Sequence, residues 1–315
     1  MRDERGFALL ASLWLLVALS VVGLEFGLQA RARRLSTANL MEHGRTNAAA
    51  NAGIADAHAL LAELLTDPGS TARGDVNRAL DPWGAPEVFL GDSVVLEDAH
   101  YRVTLADAGT ALHLNRAGEE QLRALFAALR VDFGKADRLA DAIMDWKDGD
   151  DLHRARGAER EDYLAAGAVV LPENRPFERL RDLRHVMGMT PEIYGSVRPY
   201  LTLLGTGQVN LNAAPQPVLL ALPGMTDRSV AIVLRRRSGR EPLRNLMELA
   251  NELPTEHRAR LQSRFPELLP LVAFETREVV ATSTGWLEGS PVRAVVRGLF
   301  ARGGSNAFLI SRSAQ

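Results

Sequence analysis

Met1-Arg2-Asp3-Glu4-Arg5-Gly6 runs directly into Phe7-Ala8-Leu9-Leu10-Ala11-Ser12-Leu13-Trp14-Leu15-Leu16-Val17-Ala18-Leu19-Ser20-Val21-Val22-Gly23-Leu24, and no charge follows until Glu25. At about 1.5 Å of rise per residue, a helix over that uncharged stretch approaches the roughly 30 Å of a bilayer's hydrocarbon core. It also exceeds the roughly 7–15 apolar residues of an ordinary secretory h-region. The reading is a single membrane anchor near the N-terminus, with everything after about residue 35 held at that surface. Two plainer readings stay open: a signal peptide cut at Ala30-Arg31-Ala32, or an uncut signal anchor.

The helix is expected to continue beyond the membrane. Gln29 to Leu65 contains no proline and much alanine, a composition that favours helix. Arg31, Arg33 and Arg34 mark the exit from the apolar layer, where long basic side chains reach the headgroups. Leu40, Gly44, Ala48, Ala52, Ala55, Ala59 and Leu61 then recur at spacings near three and four. They form a small-residue stripe suited to packing against another helix. Asp67-Pro68-Gly69 reads as the stop.

Composition narrows the function classes. The chain has 315 residues, a formal charge of −2 and no cysteine, so it has room for two or three domains but no disulfide framework and no thiol chemistry. Near-neutral charge supplies no global field for nucleic acid. Loop charge does not orient the anchor, because Arg2 and Arg5 compete with Arg31, Arg33 and Arg34. No His-Glu-x-x-His helix, Gly-x-Ser-x-Gly elbow or Walker loop is present, and His43, His58, His100 and His153 lie scattered. No enzyme is indicated.

Tyr101-Arg102-Val103-Thr104-Leu105-Ala106 alternates as a strand, and Ala111 to Leu114 follows a turn. Further strands are expected only near the C-terminus: Phe274 to Thr284, Val292 to Arg302 and Ala307 to Arg312, punctuated by Gly285 and Gly303-Gly304. Residues 116–265 between them read as helical and hold a weak internal repeat. Leu114-Asn115-Arg116-Ala117 matches Leu211-Asn212-Ala213-Ala214; Ala142-Ile143 matches Ala231-Ile232; Pro176-Phe177 matches Pro242-Leu243. The second copy, with Leu222-Pro223-Gly224-Met225, resembles a helix-hairpin-helix unit. With Arg235, Arg236, Arg237 and Arg240 nearby, it opens an alternative function as a membrane-anchored DNA-binding protein. Against that stand interspersed acidic residues and the lack of aromatics for stacking.

The copies differ most between Ile143 and Pro176, where the first carries an acidic addition. Asp148, Asp150 and Glu159 fall at the first, third and twelfth places of a calcium-loop pattern, but Leu152 and His153 break it, so no EF-hand is present. Carboxylates gathered in one loop suit a hard cation, and Asp148, Asp150, Asp151, Glu159 and Asp162 form the candidate calcium set.

The Gly6-Phe7 junction resembles the processing site of type IV pilins and pseudopilins, where prepilin peptidase cuts after glycine and methylates the new N-terminal Phe. Most of that family carries Glu as the fifth mature residue; here Ala11 takes that place. An ionised carboxylate in lipid is costly unless paired, and a tip subunit has no subunit ahead to pair it. The Glu-less member is the minor pseudopilin K family of type II secretion systems. Asp145-Trp146-Lys147-Asp148-Gly149-Asp150-Asp151 through Glu159, Pro172-Glu173-Asn174-Arg175-Pro176-Phe177, Val186 to Tyr194, and Val209 to Pro215 are similar to that family too.

The resemblance implies an α+β, pilin-like fold: a long membrane-spanning helix packed on an antiparallel sheet, with a large all-α insertion resembling tandem helix-hairpin-helix units. The implied divisions are a leader (1–6), a transmembrane and spine helix (7–65), a first part of the α/β domain (66–115), the insertion (116–265) and closing strands (266–315). It further implies a single pass through the bacterial inner membrane with the domain in the periplasm, and calcium binding. The implied partners are minor pseudopilins I and J, prepilin peptidase, and exported substrates or the outer-membrane channel. No nucleic acid is expected. Function would be non-enzymatic, at the pseudopilus tip. Ala11, Leu40, Gly44 and Ala48 are the partner-binding candidates; Gly6 and Phe7 are the processing residues.

Overall fold

The computed structural model describes residues 3–66, 81–86 and 93–314, with side chains from residue 12 onward. The stop signal at Asp67-Pro68-Gly69 lies outside the described residues, as do the side chains of Gly6, Phe7 and Ala11. One helix, α1 (Asp3–Thr66), is unbroken from residue 3 to the foot of the globular domain. Its 64 residues give a rod of about 96 Å at 1.5 Å per residue. From Ser12 to Phe26 its side chains are bare, Trp14 and Phe26 included, and the helix is long and apolar enough to cross a membrane. Only its last third is covered.

That last third lies on a five-stranded antiparallel sheet made of β1 (Val94–Leu96), β2 (Ala99–Asp107), β7 (Glu278–Leu287), β8 (Arg293–Gly303) and β9 (Asn306–Ala314), in that spatial order. Alternation puts Tyr101, Val103 and Leu105 of β2, Val279 and Ala281 of β7, and Val296 and Phe300 of β8 on the helix-facing side. They meet Ala49, Ala50, Ile54, Ala57, Leu61 and Leu64 of α1. Trp83, fully buried, donates its Nε1–H to Leu61 O at 2.9 Å and closes the end of this core.

Two glycines let helix and sheet approach closely. A Cβ at Gly285 would sit 2.3 Å from Thr46 O and 2.6 Å from Ala50 N. Gly53 faces Ser283, Val103 and Tyr101 as closely. Gly285, expected to end a strand, therefore lies within β7, paired with Tyr101 and Ala294. Here its missing side chain serves packing rather than turning. The strand also starts at Glu278, later than Phe274, because residues 274–276 are used to tie the insertion down.

The sheet covers a different side of α1 from the small-residue stripe. Leu40, Gly44, Ala48, Ala55 and Ala59 are exposed, and of the stripe only Leu61 is fully buried. Alanine surrounds this part of the helix, so spacing alone could not choose the side; the β-branched Thr46 and Ile54 mark the buried one.

Between β2 and β7 the chain builds a helical body with its own core. The first unit begins with β3 (Leu112–His113), continues through α2 (Glu119–Ala128), α3 (Phe133–Lys147), α4 (Arg160–Ala165) and α5 (Pro191–Val197), and ends with β4 (Leu201–Thr202), parallel to β3. The second begins with β5 (Val209–Asn210). It continues through α6 (Gln216–Leu220), α7 (Asp227–Ser238), α8 (Leu246–Glu252), α9 (Thr255–Ser263) and α10 (Phe265–Leu268), then ends with β6 (Val272–Ala273), parallel to β5.

The repeat in sequence is a repeat in bonding. Asn115 Nδ2 donates to Phe177 O at 2.9 Å and its Oδ1 accepts from Phe177 N at 2.8 Å. Asn212 Nδ2 donates to Leu243 O at 2.8 Å and its Oδ1 accepts from Leu243 N at 2.9 Å. Leu114 N donates to Thr202 O and Leu211 N to Ala273 O, each at 2.9 Å. Each Leu-Asn pair thus clamps its unit's middle and closes its end.

Candidate functional site

The acidic addition folds against one side of α3. Asp137, Asp141, Asp145 and Asp148 recur along that helix and face the returning loop; the first three are buried. Three arginines cover them. Arg123 reaches Asp141 at 2.9 Å and Asp137 at 3.2 Å. Arg156 pairs with Asp137 while its backbone N–H donates to Asp141 at 3.1 Å. Arg154 Nη1 donates to Asp145 Oδ1 at 2.7 Å and also pairs with Asp148. A side chain at Gly157 would collide with the Asp145 carboxylate, its Cβ coming within 1.7 Å of Oδ2.

Glu159 is the residue these arginines leave out. It is 2% exposed, and neither carboxylate oxygen has a hydrogen-bond partner. Burial, followed by the charges of Asp145, Asp148 and Asp151, pushes its pKa up to about 7. Asp148 Oδ1 and Asn174 Oδ1 are likewise buried without partners. Burial also raises the Asp145 carboxyl, against the opposing effect of Arg154.

The five candidate ligands therefore separate. Glu159 and Asp148 stand with Asp145, which lay outside the candidate set. Asp151 is exposed and accepts from Asn174 Nδ2 at 2.8 Å. Asp150, also exposed, accepts from Leu152 N at 2.9 Å. Asp162 caps α4, accepting from Glu159 N at 2.9 Å with His153 Nε2 at 3.2 Å. Among the described residues, no three Asp, Glu or His side chains already converge as a ligand set. The four-residue periodicity of Asp137, Asp141 and Asp145 was the signal for the missed half; Asn174, far along the chain, gave none.

The glycine turn of the second unit packs against Arg264 and Leu261. Gly224 has φ +75°, and a Cβ there would come within 2.9 Å of Arg264 Cβ, so Arg264 and Leu261 roof the turn. Arg236 is bound to Glu252 at 2.6 Å and Glu248 at 3.2 Å, and Arg235 to Glu252. Arg237 is turned inward onto Leu211 O, its pKa lowered by burial to about 10. These cations hold the helices together, which argues against the nucleic-acid alternative.

Helical body and sheet meet over Asp107. Its carboxylate accepts from Gly109 N at 2.7 Å, Asn210 Nδ2 at 2.7 Å and Thr276 Oγ1 at 3.1 Å. Burial still pushes its pKa up to about 6. Glu278 adds a second tie, accepting from Thr206 N at 2.6 Å and Thr206 Oγ1 at 3.0 Å.

Comparison with known proteins agrees with this architecture. Residues 103–206 match the family model of type II secretion system (T2SS), protein K. A Klebsiella pneumoniae type II secretion system protein K is 31% identical over 147 residues, covering 42% of this chain and 45% of that protein. The matched stretch thus spans under half of that relative's length. A putative type II secretion system protein K of Escherichia coli K12 is 25% identical over 256 residues, 75% of each chain. In fold, the chain matches a chain of the GspK-GspI-GspJ complex from enterotoxigenic E. coli with a TM-score of 0.64 and 17% identity, over 89% of this chain and 99% of that one. An apolar helix continued into a sheet-packed spine and an inserted pair of helical units thus accompany a similarity, over residues 103–206, to the type II secretion system protein K family.

Proposed function

We propose that this chain is a non-enzymatic minor pseudopilin. It is held by α1 in the bacterial inner membrane with its domain in the periplasm. At the tip of the pseudopilus it joins minor pseudopilins I and J, starts assembly and supports export of folded proteins across the outer membrane. The observation that carries this reading is the continuity of α1: one helix is bare over its apolar half and sheet-packed over its last third. The related crystal structure, by its description a complex of K with I and J, supports the choice of partners. The exposed Leu40, Gly44 and Ala48 lie between anchor and sheet, with nothing within 4 Å of a Cβ added at Gly44. That gives a partner helix a place for close approach, with Ala11 as its extension into the membrane.

Two measurements test it together. Intact mass from host membranes is expected to begin at Phe7 with one added methyl, the product of prepilin peptidase; a chain starting at Arg33 or at Met1 would sink the reading. Tagged I and J are expected to capture the full chain from detergent, and Gly44→Leu to weaken capture about tenfold by holding the helices apart.

Calcium belongs to this proposal. The unpartnered buried oxygens of Glu159, Asp148 and Asn174 are the hard donors such an ion takes, and Asp145 and Asp151 add charge beside them. The ion would tie α3 to the loop that follows it. Saturating calcium is expected to raise the melting temperature, since a ligand at about 100 times its Kd adds about 2.7 kcal/mol. No heat of binding and no melting shift would end the calcium reading.

A further inference from the structure

We infer that Arg154 is a built-in stand-in for the cation of the acidic loop, and that an ion must displace it to bind; this rests on the calcium reading above. Asp145 lies in the last turn of α3 and Asp148 is its C-cap. Carboxylates there stand at the negative end of the helix dipole, where a cation is favoured and an anion is not. Arg154 supplies that cation. Its Nη1 bridges the two carboxylates, and its own backbone N–H donates to Asp145 Oδ2 at 3.3 Å. These contacts tie the returning loop to the C-terminal end of α3.

Arg154 faces four carboxylates, Asp145, Asp148, Asp151 and Glu159, with Lys147 beside Asp148 and His153 beside Glu159. It satisfies one oxygen each of Asp145 and Asp148 through the guanidinium and leaves Asp148 Oδ1 and both Glu159 oxygens unpaired. A divalent ion joining Glu159 to Asp148 would face the guanidinium across the same carboxylates, and like charges so close repel strongly in a partly buried site. Arg154 has a way out. Its side chain is 30% exposed while that of Asp145 is 0% exposed, so the guanidinium can swing into water while the carboxylates stay fixed. Arg156, by contrast, is engaged further back along α3 with Asp137 and Asp141 and does not bridge Asp145 and Asp148.

The experiment uses the full chain in detergent, with calcium added to chelator-treated protein and binding followed by calorimetry, beside melting curves taken in chelator. Arg154→Gln is expected to bind calcium about tenfold more tightly than the unaltered chain and to melt lower in chelator. Arg156→Gln is expected to leave calcium affinity unchanged. Arg154→Lys keeps a charge but loses the fork that spans two carboxylates, so it is expected to fall between, and it serves if Arg154→Gln does not fold. Unaltered or weaker calcium affinity in Arg154→Gln and Arg154→Lys, with binding by the parent chain, would overturn the inference alone. Absence of binding in all four proteins would overturn both this inference and the calcium reading.

Discussion

Gly285→Val is expected to separate the sheet from the spine helix and to cost about 3 kcal/mol or more, at the upper end of overpacking substitutions. The first added atom would meet Thr46 O at 2.3 Å and Ala50 N at 2.6 Å. Both are backbone atoms of α1, so no rotamer change relieves the clash. The helix cannot retreat either, since Ala49, Ala50 and Ile54 are packed into the same core. Arg45–Asp98 and Ser290–Glu42 fix the same end of the contact, and they are too exposed to hold it alone. Thermal unfolding of the full chain in detergent would show a large drop in melting temperature. Gly44→Ala, on the open side of the same helix, is expected to raise stability slightly, by up to about 1 kcal/mol. Similar shifts for the two variants would refute the packing account.

Asn212→Ala is expected to destabilise the helical body by about 3 kcal/mol and to expose its second unit to protease. The side chain serves three backbone groups: Leu243 N, Leu243 O and Phe274 O, the last at 2.7 Å. Each buried group left without a partner costs about 1–3 kcal/mol, and water reaching a half-buried position recovers part of it. Asn115→Ala removes the matching pair of bonds at Phe177 and is expected to cost about 2 kcal/mol. Hydrogen exchange should localise the two losses, residues 209–273 loosening in one variant and 112–202 in the other. Uniform loosening of the whole body in both would mean the units do not fold as separate clamps.

Much of this was legible in the chain because the signals were local. The apolar run, the alternation of Tyr101 to Ala106 and the Leu-Asn repeats each report on neighbours a few residues away. What escaped was set by contacts distant in sequence. Gly285 reads as punctuation until Thr46 and Ala50 are seen against it. The sheet-packed side of α1 was not readable either, because alanine is nearly everywhere there and only the sheet selects a face. In the acidic segment, Asp145 was counted as charge rather than as site, since its approach to Glu159 depends on the loop folding back through Gly157. The arginines after Gly224 suggested a phosphate site from composition; Glu248 and Glu252, on the following helix, pair with two of them, Arg235 and Arg236.

The way the helical body joins the sheet makes it a removable part. Ala106 faces Val280 and Asp107 faces Val279 in the β2–β7 ladder, so the chain departs and returns at adjacent rungs. The register of the remaining strands owes nothing to what lies between. A two-residue turn joining Asp107 to Val279, in place of 108–278, would leave the helix, the ladder and the order of strands as they stand. The result would be a small subunit of one long helix on a five-stranded sheet. The body is in that sense a separable load on a helix-and-sheet chassis, whose pairing is set by its own strands.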